Sequence, residues 1–195
     1  MKNVFTLLFC LASLQLVAQE ETLFGDLSVV GAFGGPLIEI GSINGEVVAD
    51  VGGGGALILN NVFFGGYGLG TDFASARIDQ IDYDIRFSHG GLWFGVTQNE
   101  HKLTHFYSSL RVGWGRARLQ RDGETEFRDR LFVLTPEVGV EFNITSFFKV
   151  GLTGGYRWVN GINKLPTLEN GDFSSPIGTI TFRFGGFEND WDWDW

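Results

Sequence analysis

His89, His101 and His105 are the residues of this chain best suited to move protons. Serines stand near two of them: Ser88 beside His89, and Ser108 and Ser109 beyond His105. A histidine that activates a serine must reach its hydroxyl. Ser88 and His89 are neighbours in an extended segment, and neighbours on a strand point to opposite faces. No catalytic residue is assigned. The run Gly52–Gly55 has the glycines of a phosphate loop, but the lysine and Ser/Thr of that loop do not follow it and no helical pattern comes after. Close packing explains it better. Asp79, Asp82 and Asp84 offer oxygen donors without the ordered spacing of a calcium loop, and read as a solvated loop edge. Neither a metal nor a cofactor is expected.

More informative are the charges set between apolar residues. From Phe148 to Trp158 one face carries Phe148, Val150, Leu152, Tyr156 and Trp158, and the other Lys149, Thr153 and Arg157. From Leu134 to Asn143 an apolar face of Leu134, Pro136, Val138, Val140 and Phe142 opposes Glu137 and Glu141. Arg111 and Arg183 take the same place in segments 106–114 and 179–184. A switch at every residue is a strand with two unlike sides. Arg111, Lys149, Arg157 and Arg183 would then share one side with Glu137 and Glu141, a candidate charge network.

The elements that must position these residues are strands throughout. The pattern predicts them near Asp26–Ile43, Glu46–Leu59, Val62–Phe73, Ile81–Val96, Thr104–Gln120, Arg130–Asn143, Phe148–Trp158 and Ile177–Phe187. A bend is expected at Gly34–Pro36, and a bulge at His89–Gly91, where the phase changes. Asn60–Asn61 and Ile144–Phe147 are tight links, and 97–103 is modest. Ala74–Gln80, Arg121–Asp129 and Val159–Pro176 are longer and more polar, while Asn44–Gly45 is a short turn among them. Links that alternate in length are those of an up-and-down membrane barrel, with short turns on the periplasmic side and loops outside.

Met1 to Ala18 has the plan of a secretory signal: Lys2, then an almost unbroken apolar stretch to Val17, then a small residue. Removing 1–18 leaves a chain without cysteine, because Cys10 is the only one, and with a net charge of −10 once Lys2 is subtracted from the −9 of the whole. An acidic chain of this kind lacks the basic footprint that nucleic acid requires. Residues 19–187 form one expected domain. The tail 188–195 alternates Trp191, Trp193 and Trp195 with Asp190, Asp192 and Asp194.

Alternation alone fits two barrels, one with its apolar side in lipid and one with it turned inward around a ligand. Three features favour lipid outside. Gly113, Gly115, Gly139, Gly151 and Gly155 lie on the less apolar side, where a cramped interior needs small residues. That side also carries both signs of charge, which must pair if enclosed. Aromatic residues at 106, 147, 148, 156, 158 and 187 stand near strand ends, where a membrane girdle belongs.

The chain resembles small outer-membrane barrels of the OmpA-transmembrane-domain and OmpX type and, more closely, other barrel proteins of that size in Gram-negative bacteria, the closer resemblance being carried by Gly52–Leu57, Gly65–Gly68, Gly90–Trp93, Thr135–Glu141, Gly155–Arg157 and Ile180–Gly185. The resemblance implies an all-β fold, a single closed antiparallel barrel of about eight strands. It also implies a place in the outer membrane, with membrane lipid and the barrel-assembly machinery as partners. Such barrels end their last strand on an aromatic residue, a role open to Phe187. The function expected is structural or adhesive, without catalysis, with Arg121–Asp129 and Val159–Pro176 offered to an external partner. One alternative is a soluble periplasmic or secreted barrel holding a small apolar ligand. Another is a lipid-modifying enzyme, although the His-x-Ser spacing of the lipid A deacylases is absent and His101 and His105 fall at the periplasmic end.

Overall fold

The structure, a computed structural model, describes residues 28–78, 81–98 and 102–187. The expected signal 1–18, Asp79, His101 and the tail 188–195 lie outside the described residues. Eight strands follow in chain order: β1 (Val29–Ile43), β2 (Glu46–Leu59), β3 (Val62–Ile78), β4 (Ile81–Gln98), β5 (Thr104–Arg121), β6 (Glu124–Thr145), β7 (Phe148–Asn160) and β8 (Ser175–Gly186). Each pairs antiparallel with the next, and β8 returns to β1, so the sheet closes on itself. Closure leaves no unpaired edge, the condition for a sheet to cross a bilayer.

The turns follow from their residues. Asn44–Gly45 (φ 51° and 78°) and Asp122–Gly123 (φ 50° and 84°) occupy the left-handed region that two-residue hairpin turns require. Pairing of β1 with β2 runs unbroken through Gly34–Pro36, while the ladder of β1 with β8 skips Gly35 and Pro36; that of β4 with β5 is unbroken through His89–Gly91, so the expected bulge is not there. A register shift falls instead between Thr71 and Ala74.

The change of phase near His89 has a different cause. Trp93, His89, Phe87, Ile85 and Tyr83 all point inward, in one continuous alternation. Beside the membrane the outward face is apolar; beyond it the outward face is polar and the inward face apolar. The period holds while the sign reverses. Two expected outer links are therefore strand over most of their described residues: β3 continues to Ile78 and β6 begins at Glu124 rather than Arg130. Arg121–Asp129 is a hairpin around Asp122–Gly123.

The third outer link, between β7 and β8, turns into the mouth of the barrel. It carries the short helix α1 (Asn170–Phe173). Ile162, Leu165, Leu168 and Phe173 are buried against Ile43, Ala74, Ile85, Phe87, Leu119 and Val133. One carboxylate oxygen of Asp129 accepts from the backbone N–H groups of Asn163, Lys164 and Leu165 at 2.8, 2.7 and 3.1 Å. Asn170 Oδ1 accepts from Gly161 and Ile162 at 2.9 and 2.8 Å. This segment was expected to face outward. Four large apolar side chains drive it inward, each worth roughly 1.5–3 kcal/mol on burial.

Interior glycines make room for large side chains. A Cβ on Gly113 would lie 2.3 Å from the Tyr67 hydroxyl, and one on Gly95 would lie 2.1 Å from the ring of Phe63.

Candidate functional site

Among the described residues, side chains fill the interior of the barrel. Between the apolar plug at the outer mouth and an aromatic layer at the other end lies a buried ion-pair core. All six charged residues predicted for it point inward and are buried. They fall into two groups.

The first group is built on Arg111 of β5 and Arg157 of β7. Arg157 Nη1 lies 2.9 Å from Glu39 Oε1 and 2.5 Å from Asp50 Oδ2. Its Nε donates to the carbonyl of Phe173 at 3.0 Å, and its Nη2 to that of Ser42 at 3.0 Å, so it also ties the plug to the wall. Arg111 Nη2 pairs with Glu39, and with Glu137 Oε1 at 3.2 Å. Thr153 and Ser109 donate to Glu137 at 3.1 and 3.0 Å. Tyr67 and His89 meet at 3.1 Å beside this group.

The second group centres on Glu141 of β6. Arg183 Nη1 stands at 2.7 Å, His105 Nε2 at 3.0 Å and Lys149 Nζ at 3.8 Å. The Arg183 guanidinium is enclosed by Tyr107, Phe33, Phe63 and Trp93, at 4.1, 4.4, 4.7 and 5.3 Å from the ring centroids. Lys149 sits 4.2 Å from the centroid of Phe187. Phe187 is thus buried inside the barrel end and not part of an outer girdle, where Phe106, Phe147 and Trp158 are exposed.

Glu39, Asp50, His89 and His105 are members that sequence reasoning missed. A signal was available. Four predicted cations faced only two predicted carboxylates, and a closed interior must balance its charges. Glu39 and Asp50 supply the missing two. Each is an acid flanked by apolar neighbours, Glu39 between Ile38 and Ile40 and Asp50 between Ala49 and Val51.

Glu39, Asp50 and His89 present donor atoms within 4.8 Å of one another, a spacing that suits a metal ion. Arg111 and Arg157 already neutralise these carboxylates, and two guanidinium groups in contact with them oppose a dication. Ser88 faces the opposite side of the strand from His89, Ser109 is bonded to Glu137, and His105 to Glu141. Among the described residues, no serine hydroxyl is hydrogen-bonded to a histidine. Asp82 and Asp84 stand exposed on β4.

The outer surface completes the inversion. Val47, Val51, Leu57, Phe64, Phe94, Val96, Leu110, Trp114 and Val138 are exposed. Arg111, Glu39, Glu141 and Arg157 are at most 1% exposed. A barrel holding an apolar ligand in water would have the reverse arrangement. Apolar outside and charged inside defines a transmembrane β-barrel with a filled interior.

No protein-family model matches the chain, and no curated protein matches it in sequence. Solved structures do match in shape. Neisserial surface protein A is 13% identical, with a TM-score of 0.58 over 83% of this chain and 99% of that one. Ail, the attachment invasion locus protein of Yersinia pestis, solved with the heparin analogue sucrose octasulfate, is 16% identical, with a TM-score of 0.47 over 80% of this chain and 95% of that one. The likeness to the neisserial protein shows the fold, that of a small outer-membrane barrel of eight strands.

Proposed function

We propose that this chain is a resident of the bacterial outer membrane, akin to the OmpA and OmpX type, with a structural or surface-interaction role and no chemical step of its own. The observation that carries this reading is the inside-out polarity of the barrel. The interior is occupied by ion pairs and by the β7–β8 plug, so the molecule offers its environment surfaces and not a cavity. With the plug turned inward, contact with an external partner falls to the β3–β4 and β5–β6 hairpins, which extend past the apolar belt. The membrane neighbours are lipid and, during insertion, the barrel-assembly machinery.

The test is fractionation of the native host, followed by gels run in SDS with and without boiling. Recovery in the outer-membrane fraction, with a faster unboiled band, is the expected result. Recovery as a soluble protein would overturn the reading. Deleting the tip of the β5–β6 hairpin tests the surface role: unchanged binding of cells to host surfaces and matrices would leave the structural role alone.

A further inference from the structure

The outward faces of β4, β5 and β6 carry cross-strand rows whose register is continuous. Leu92, Val112 and Leu134 form one row, and Gly90, Trp114 and Phe132 the next, both within the apolar belt. Trp114 and Phe132 pack edge to face with centroids 6.0 Å apart. The next row is Ser88, Arg116 and Arg130, and the one after is Arg86, Arg118 and Arg128. Arg86, Arg116, Arg128 and Arg130 are exposed and Arg118 is half-buried. Two residues along a strand is about 7 Å, so five guanidinium groups begin immediately above the edge of the belt.

This arrangement is costly by itself. Arg118 faces Arg128 and Arg116 faces Arg130 directly across the ladder, and like charges so placed destabilise a sheet. General basicity does not explain it, because the chain carries 23 acidic residues against 14 basic ones. Among the described carboxylates, Asp84 lies a row further out, and Glu126 is occupied by Tyr83 at 2.9 Å and Arg121 at 3.9 Å. Beside the array runs a shallow cleft of about 610 Å³, bordered by Gly68, Ser88, Trp114, Arg116 and Arg130. Gly68 points outward, and nothing lies within 4 Å of where its Cβ would be, so the sheet there has a bare floor. Guanidinium groups at the head of an apolar, glycine-floored cleft match an amphiphile whose head carries phosphate and whose tail is an acyl chain.

We infer that the β4–β6 face is a binding site for a phosphate-bearing lipid of the outer leaflet, with its phosphate held by Arg116, Arg130 and the Arg86–Arg118–Arg128 row and an acyl chain laid along the cleft beside Trp114. This rests on the membrane reading above. The bound phosphate offsets the repulsion of the rows and fixes the depth of the barrel in the leaflet.

The full mature chain, folded in a neutral detergent and passing the unboiled-gel test, is titrated with dimyristoyl phosphatidic acid and followed by native mass spectrometry. Dimyristoylglycerol serves as the phosphate-free probe and inorganic phosphate as the chain-free probe. The expected result is retention of the phosphatidic acid at least ten times better than of dimyristoylglycerol, with no displacement by millimolar phosphate. R116Q/R130Q should lose that preference at least tenfold while keeping its gel shift, and R86Q/R128Q should lose it in part. R121Q, at the hairpin tip, should bind as the wild type does. Equal retention of both lipids, displacement by free phosphate, or unchanged binding by both double variants would each overturn the site while leaving the membrane reading intact. Failure of the wild type to show a gel shift would instead reject the membrane reading.

Discussion

Asp129 holds the plug in the barrel mouth, and Asp129→Ala should release it without unfolding the barrel. The carboxylate is buried, and one of its oxygens accepts three consecutive N–H groups of the β7–β8 segment, at 163, 164 and 165. A hydrogen bond to a charged group contributes about 1.5–3 kcal/mol. Two of the three donors are part-buried and regain water when the acceptor is lost, while the Leu165 N–H is buried. A net loss of roughly 3 kcal/mol is therefore expected for docking of the segment, which raises its open fraction by about two orders of magnitude. Lys164 provides the assay, since its side chain is exposed while its backbone is pinned. Trypsin acting on folded protein in detergent, with the 164–165 cleavage followed by mass spectrometry, should cut D129A about a hundredfold faster than wild type. The unboiled gel band should persist. Equal cleavage rates, with the barrel intact in both, would refute the reasoning.

Two further variants probe the core. Glu39→Ala leaves Arg111 and Arg157 buried with one carboxylate fewer between them, and should cost about 3–5 kcal/mol in equilibrium unfolding by urea in micelles; a loss below 1 kcal/mol would contradict the pairing. Gly113→Ala drives a methyl group into the Tyr67 hydroxyl and should cost about 1–3 kcal/mol. Adding Tyr67→Phe should recover part of that loss, and a cycle with no coupling would contradict the contact.

The strands of this barrel are legible because the bilayer enforces a period of two on one face while packing enforces it on the other. That explains why Lys149, Arg157, Glu137, Glu141, Arg111 and Arg183 could be assigned to a common interior from the apolar residues between them. The same rule misleads above the membrane. Around Ile85 and Leu119 the apolar residues turn inward and the arginines outward, and a reader following apolar-outward alternation sees a break where the strand continues. Glu39 and Asp50 escaped because Glu39 is the one charged residue of β1 and Asp50 shares β2 only with Glu46 at its first position, so only the demand for charge balance across the whole barrel exposes them. The plug escaped for a related reason. Ile162, Leu165, Leu168 and Phe173 have neither strand nor helix spacing, yet four large apolar side chains in one surface link are themselves a sign of burial.

Polarity of the barrel can be measured by quenching tryptophan fluorescence with lipid. Trp114 is 59% exposed on the outer wall, and Trp93 is 1% exposed within. Two variants are made, one keeping only Trp114 and the other only Trp93, with the remaining five of the six tryptophans replaced by phenylalanine. Both are inserted into vesicles whose acyl chains carry bromine. Strong quenching of Trp114 and little of Trp93 is the predicted result. Quenching of Trp93 with Trp114 untouched would mean that the apolar wall does not face lipid, and the barrel would have to be turned inside out.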